Sequence, residues 1–338
     1  MRTKCFQDLM RVLDREKPVI IQAHDYPDHD AIGSGFSLLS LLRDFGFRCE
    51  FCYGGEVQGF SVADIITNLH IPLVPASLLR IGGDAQIILV DAVAGNTNVT
   101  RLTDLPLTGI IDHHQPPEKI PECPFVDIRP EAGSCSTIIY QYYLETMTEP
   151  SRDVATALLT GLMMDTAQMT RGVGPVDLAA FSGLFFKGDW EGAVYILRNS
   201  FSIQDIPTLR YAFDHYYRHD SVCFVELEPS AGTAEAPAEK VRPELPGLIS
   251  DYFLRMQEIH FVVTSKVESS VCRLSLRSED PRLPADLIVK RALEGIGEGG
   301  GHPHMSGGTI SGDSIPGGPG LRERFLTVIE KFLHENKE

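Results

Sequence analysis

Three short apolar runs in the N-terminal half of the chain each stop on an ionisable residue: Val19 to Ala23 before His24, Ala85 to Val90 before Asp91, and Leu107 to Ile111 before Asp112. Runs of this length, rich in β-branched residues, are too short for core helices and read as buried strands. The segments between them carry helical spacing. "AIGSGFSLLSLLRDFG", from Ala31, repeats apolar residues at helical intervals and stops near Gly46, the residue type that most often ends a helix. Arg48 to Tyr53 and Phe125 to Ile128 read as further strands, and Ser134 to Thr146, Val154 to Thr166 and Val176 to Phe186 as helices. Strands alternating with helices predict an α/β fold, a parallel sheet with helices on both faces. Ligands of such sheets bind outside the carboxyl ends of the strands.

With 338 residues and 43% hydrophobic side chains the chain can bury two cores. We expect a first domain at 1–188, a helical connection with few Gly or Pro breaks at 189–218, and a smaller α/β domain at 219–338. In the latter, Glu228 to Gly247 is rich in Pro, Ala and Glu and is expected as an exposed loop. Ile259 to Lys266 and Val271 to Arg277 alternate like adjacent strands joined by "VESS", and Pro284 to Leu293 reads as a helix.

No apolar run reaches the length of about eighteen residues that a membrane helix needs, and the charged N-terminal stretch lacks the features of a secretory signal. A cytoplasmic protein without membrane association is the expectation. Seven irregularly spaced cysteines suit reduced thiols rather than a disulfide framework. The lone CxxC at Cys49 and Cys52 is weak evidence for zinc. A net charge of −16 argues against a partner such as long duplex DNA, whose affinity comes from phosphate neutralisation. From residue 259 onward ten Lys/Arg face eleven Asp/Glu, so about −15 lies upstream and the downstream part suits an anionic ligand better.

The acids fall at corresponding places. His24, Asp28 and Asp30 follow the first run, Asp91 ends "IILVDA", Asp112, His113 and His114 end "GIIDHHQ", and Asp165 closes a helical pattern in "TGLMMDTAQMTR". Any one of these aspartates would serve as a helix cap or turn former, and Asp30 is a good N-cap candidate. Their shared position is what argues for a common crevice. Carboxylates crowded there resist ionising unless a cation lies between them. Mixed oxygen and imidazole donors without thiolates suit Mn²⁺ better than Ca²⁺ or structural zinc, and two such ions about 3.5–4 Å apart promote phosphoester hydrolysis.

These residues resemble the DHH phosphoesterase superfamily. "HDYPDHDAIGS", "LVDAV", "DHHQ" and "MMDTAQMTR" resemble its four ordered motifs, while "GEGGGHPHMSGG" and "RLSLRS" are similar to the glycine-rich motif and arginine-bearing strand of the DHH-associated domain. The resemblance runs from about Val19 to Ile310. It implies a catalytic α/β domain, a smaller substrate-binding domain closing over the crevice, and two metals, commonly Mn²⁺, with Mg²⁺ or Co²⁺ as alternatives. Carried onto this sequence, it makes His24, Asp28, Asp30, Asp91, His113 and Asp165 metal ligands with Asp91 as the bridge. Asp112 would orient its neighbours and His114 would face the phosphate as the catalytic pair. Departures from the pattern are the extra acid Asp25, the apolar residue after Asp91, and Gln168 where glycine is common.

In the downstream motif Gly299, Gly300 and Gly301 let backbone amides approach an anion, and His302 adds a donor. Arg277 offers a planar fork for a phosphate or carboxylate. Arg273, on the same strand face, is a weaker candidate. The expected activity is Mn²⁺-dependent hydrolysis of short oligoribonucleotides or linear dinucleotides such as pApA and pGpG. Alternatives are a 3′-phosphoadenosine 5′-phosphate phosphatase, a cyclic-dinucleotide phosphodiesterase, a polyphosphatase, or a nucleotide-sensing module without activity. A homodimer is left open.

Overall fold

The computed structural model describes residues 5–95, 98–116, 119–120, 122–198, 200–227, 241–268 and 270–335, without the side chain of Asp313. The chain divides into two compact units, Met1–Ser200 and Phe201–Glu338. The first runs α1 (Phe6–Val12), β1 (Val19–Gln22), α2 (His29–Asp44), β2 (Cys49–Tyr53), α3 (Phe60–Asn68), β3 (Leu73–Pro75), β4 (Gln86–Val90), β5 (Leu107–Asp112) and β6 (Phe125–Ile128). Four helices follow: α4 (Cys135–Thr146), α5 (Arg152–Asp165), α6 (Pro175–Phe185) and α7 (Trp190–Arg198).

The six strands form one sheet in the order β3-β2-β1-β4-β5-β6, and every neighbouring pair is parallel. The chain winds outward from β1 to β3, then returns to start again at β4. The order therefore reverses between β1 and β4, the place where sheets of this kind leave a crevice at their carboxyl ends.

Successive side chains alternate across the sheet. Val19, Ile21, Ile88, Val90 and Ile111 join the large core made with α1 to α5, whereas Ile20, Ile87, Leu89 and Ile110 face the other side. Right-handed crossovers put α2 and α3 on the first face and the connections after β3, β4 and β5 on the second. Among the described residues those connections hold a single 3₁₀ turn, Ala76–Leu78, and cover the second face with Leu79, Ile81, Val99, Leu102 and Leu105. The helical cover expected on both faces is thus almost wholly on one. There α2 and α5 pack closely, because a Cβ on Gly33 would lie 2.4 Å from the Ala157 carbonyl oxygen.

The second unit contains α8 (Ile206–His215), β7 (Tyr217–His219), β8 (Val222–Leu227), α9 (Leu245–Phe253), β9 (Phe261–Glu268), β10 (Val271–Ser278), α10 (Ala285–Leu293), β11 (Gly297–Gly301), β12 (Met305–Ser311) and α11 (Gly318–Glu335). Its sheet order is β11-β12-β10-β9-β8-β7, antiparallel except between β8 and β9. Here helices do cover both faces: α10 and α11 pack on one, α8 and α9 on the other. The stretch 189–218 is shared, since Ala193 and Ile196 of α7 join the core of the first unit and Ala212 of α8 that of the second. Of the loop expected at 228–247, residues 228–240 lie outside the described residues, and α9 already begins at Leu245, with proline in its first turn.

Candidate metal centre

Parallel β1, β4 and β5 bring their carboxyl ends to one edge of the sheet, and each sequence-predicted acid or histidine of the first unit meets another there. His24, Asp28 and Asp91 place one donor atom each within 4.8 Å of one another; so do Asp30, His113 and Asp165, and so do Asp91, Asp112 and His114. His24 Nε2 lies 3.9 Å from both Asp28 Oδ2 and Asp91 Oδ2. His113 Nε2 lies 3.1 Å from Asp165 Oδ2, 3.7 Å from Asp30 Oδ2 and 3.5 Å from Asp91 Oδ1. One oxygen of Asp91 therefore faces each histidine, and its carboxylate stands between the two donor sets.

The backbone explains how these side chains are aimed. Asp91, just past β4, has φ 54°, the left-handed region that Asp and Asn tolerate better than other side-chain-bearing residues. Asp28 is the N-cap of α2, its Oδ1 accepting from the N–H groups of Asp30 and Ala31 at 2.9 and 3.1 Å, which leaves Oδ2 for His24. By position in the sequence Asp30 is also a candidate for that cap. Instead Asp30 sits inside α2 and accepts from the N–H groups of Cys135 and Ser136, at 2.6 and 2.9 Å, at the start of α4. Its partners are remote in sequence, so residue type alone could not reveal them.

The histidines are oriented from behind. A carbonyl can only accept, so the 3.3 Å contact between His113 Nδ1 and the Ala132 oxygen puts the proton on Nδ1 and turns Nε2 toward the carboxylates, the usual arrangement behind a metal-binding imidazole. Asp112 Oδ1 accepts from His114 Nδ1 at 2.8 Å and from the backbone N–H groups of His113 and His114 at 2.8 and 3.3 Å. Asp112 thus holds the turn and the second imidazole together.

Burial dominates the electrostatics. It raises Asp91 well above the ordinary carboxylate range, with the charges of Asp30, Asp28 and Asp165 adding to the effect. Asp30 is pushed up to about 7 by burial and then by Asp165, and Asp165 is raised by burial and then by Asp28. Asp112 is also buried, but its hydrogen bond and charge interaction with His114 outweigh that and hold it low. The same hydrogen bond raises His114 against its burial. Asp91 Oδ1 and Asp165 Oδ1 are buried with no hydrogen-bond donor among the described residues. Carboxylates that repel one another, with oxygens no donor satisfies, fit a divalent cation.

In the second unit Arg277 does not present an open fork. Its Nε and Nη2 donate to the Asp251 carboxylate at 2.7 and 3.3 Å, and Nη1 donates to Ser275 Oγ at 3.1 Å. Arg273 is exposed on the same strand. Gly299, Gly300 and Gly301 form the edge strand β11 rather than a loop. A Cβ on Gly299 would lie 2.7 Å from a Val289 methyl, so glycine there serves the packing of β11 on α10. His302 opens the turn into β12, its N–H donating to the Met305 carbonyl at 2.7 Å.

The family description "DHH family, N-terminal domain" matches residues 18–162, and "DHHA1 domain" matches residues 236–335. An uncharacterised protein of Methanocaldococcus jannaschii is 25% identical over 86% of this chain and 57% of its own length. A probable manganese-dependent inorganic pyrophosphatase of Lactococcus lactis subsp. lactis is 32% identical over 44% of this chain and 48% of its own. The chain spans about half the length of the curated relatives it matches. Among solved structures, an exopolyphosphatase-related protein from Bacteroides fragilis superposes with a TM-score of 0.81 at 19% identity over 100% of both chains. Exonuclease RecJ bound to manganese superposes with a TM-score of 0.52 at 13% identity, over 99% of this chain and 95% of that one. With both domain descriptions matched in order, and the four motifs gathered on one sheet edge, the chain belongs to the DHH phosphoesterase superfamily.

Proposed function

We propose that this chain is a metal-dependent phosphoesterase that hydrolyses short oligoribonucleotides or linear dinucleotides, such as pApA and pGpG, to nucleoside monophosphates. The observation that carries the reading is the pair of donor sets flanking one carboxylate, Asp91. His24, Asp28 and Asp91 would hold one divalent ion, and Asp30, Asp91, His113 and Asp165 a second, with Mn²⁺ the first candidate. Bound there, such ions supply Lewis acidity and an activated water.

The chain's own residues do the rest. Asp28 and Asp30 each spend hydrogen-bond capacity on a helix N-terminus, which pins their carboxylates to rigid elements. Asp112 fixes His114 so that its imidazole can donate to a phosphoryl oxygen. The acidic first part of the sequence disfavours long polyanions, which supports a short substrate. Arg277 and His302 are proposed to bind the substrate's anionic groups.

A second reading has its own support, because relatives at about a third identity over 44% of this chain are named probable manganese-dependent inorganic pyrophosphatases. Product analysis with Mn²⁺ separates the two. Mononucleotides released from pApA faster than from long single-stranded RNA support the proposal. Orthophosphate from pyrophosphate or polyphosphate, with pApA intact, overturns it.

A further inference from the structure

We propose that Tyr26 is a nucleobase-stacking residue at the lip of the metal centre, and the position at which this chain favours nucleoside-bearing phosphoesters over bare phosphate chains. The inference deepens the function proposed above and rests on it.

From His24 to His29 burial alternates strictly: His24, Tyr26 and Asp28 reach solvent, whereas Asp25, Pro27 and His29 are buried. Tyr26 is 46% exposed, and every other residue from Ile21 to Asp30 is buried or half-buried. Its neighbours on the solvent side, His24 and Asp28, belong to the first donor set. The ring is therefore tied, within two residues either way, to side chains proposed to hold metal. Its hydroxyl has no hydrogen-bond partner among the described residues. Exposed as it is, the ring adds little to the folded core.

The backbone beneath it is pinned. The Asp25 carboxylate accepts from the Thr100 N–H at 3.0 Å and the Thr100 hydroxyl at 2.7 Å. Asp25 N–H donates to the Asn98 carbonyl at 2.7 Å, and the Asp25 carbonyl accepts from Glu56 N–H at 2.9 Å. On the other side Asp28 caps α2. An aromatic ring on a fixed backbone loses little freedom when a flat group lies against it. Every base has a π-face, so such stacking tolerates any base. The surrounding groups are acids and imidazoles, which bind cations and phosphates; Tyr26 is the component of this segment suited to an uncharged ring.

The test is steady-state kinetics of Tyr26→Ala, Tyr26→Phe and Tyr26→Trp with Mn²⁺ on pApA and on pyrophosphate, together with calorimetric binding of AMP. Loss of one stacked base predicts that Tyr26→Ala raises KM for pApA about 5- to 150-fold, with kcat near wild type. Tyr26→Phe and Tyr26→Trp should restore KM, AMP affinity should follow the same order, and any pyrophosphate turnover should be unchanged. An unaltered KM in Tyr26→Ala, or an equal loss on pyrophosphate that Tyr26→Phe does not rescue, overturns the stacking role while leaving phosphodiester hydrolysis intact. A wild-type protein that turns over pyrophosphate but no base-bearing substrate overturns the functional reading itself.

Discussion

Asp91→Asn probes the centre at the residue whose carboxylate belongs to two donor sets. Asparagine is the informative replacement, because Asp91 has φ 54° and alanine in that region would cost about 1–2 kcal/mol for conformational reasons alone. A ligand at about a hundred times its dissociation constant stabilises the folded state by about 2.7 kcal/mol. For a unit the size of Met1–Ser200, each kcal/mol moves Tm by about 2–4 °C. Saturating Mn²⁺ should therefore raise the wild-type melting temperature by roughly 5–11 °C. Asp91→Asn replaces the anionic oxygens between His24 and His113 with a neutral amide that has a single acceptor oxygen, so it should lose most of that shift and all turnover. Without metal the variant should melt at or above wild type. It removes a carboxyl that burial, with Asp30, Asp28 and Asp165, makes costly to ionise. Calorimetric melts of both proteins in EDTA and in Mn²⁺ provide the comparison. A variant that keeps the full wild-type shift, or a wild type that shows none, would refute the two-metal assignment.

The metal-free protein should lose stability as pH rises. Asp30, at about 7 when folded, binds its proton more tightly than in the unfolded chain, so its contribution is complete below the unfolded pKa and is lost as pH climbs through the folded one. Melts in EDTA should fall between about pH 6.5 and pH 8, above the range in which buried His29, lowered to about 4, works in the opposite sense, and a rise over that range would contradict the burial argument. Gly33→Ala would push a methyl to 2.4 Å from the Ala157 carbonyl, a backbone atom that cannot turn aside. Urea unfolding should report a loss of about 1–3 kcal/mol, and an unchanged midpoint would mean that α2 and α5 are less closely packed. Arg277→Ala should chiefly raise KM for pApA with kcat near wild type; a fall in kcat at constant KM would remove Arg277 from substrate binding.

Much of the centre was legible because its signals are local. The apolar runs that became β1, β4 and β5, and the helical spacing of α2, depend on near neighbours in sequence, and parallel pairing then forces His24, Asp91 and the Asp112 to His114 turn onto one edge. Chain order also made an α/β sheet the economical reading. It could not show that long connections rather than helices would cover the second face, since those segments lack a regular period.

The sequence by itself determined which donor types stand at the strand ends, and hence the class of ligand they suit. Only the tertiary structure decided what each donor does. Asp28 caps its own helix while Asp30 accepts from the first N–H groups of α4, 105 residues away; the Ala132 carbonyl sets the His113 tautomer; Asp251 occupies the guanidinium of Arg277; and Gly299 of β11 makes room for α10. Side-chain chemistry is written residue by residue. The partner that takes up each hydrogen bond is chosen when distant segments pack, and a backbone carbonyl or N–H offers almost the same chemistry whichever residue bears it.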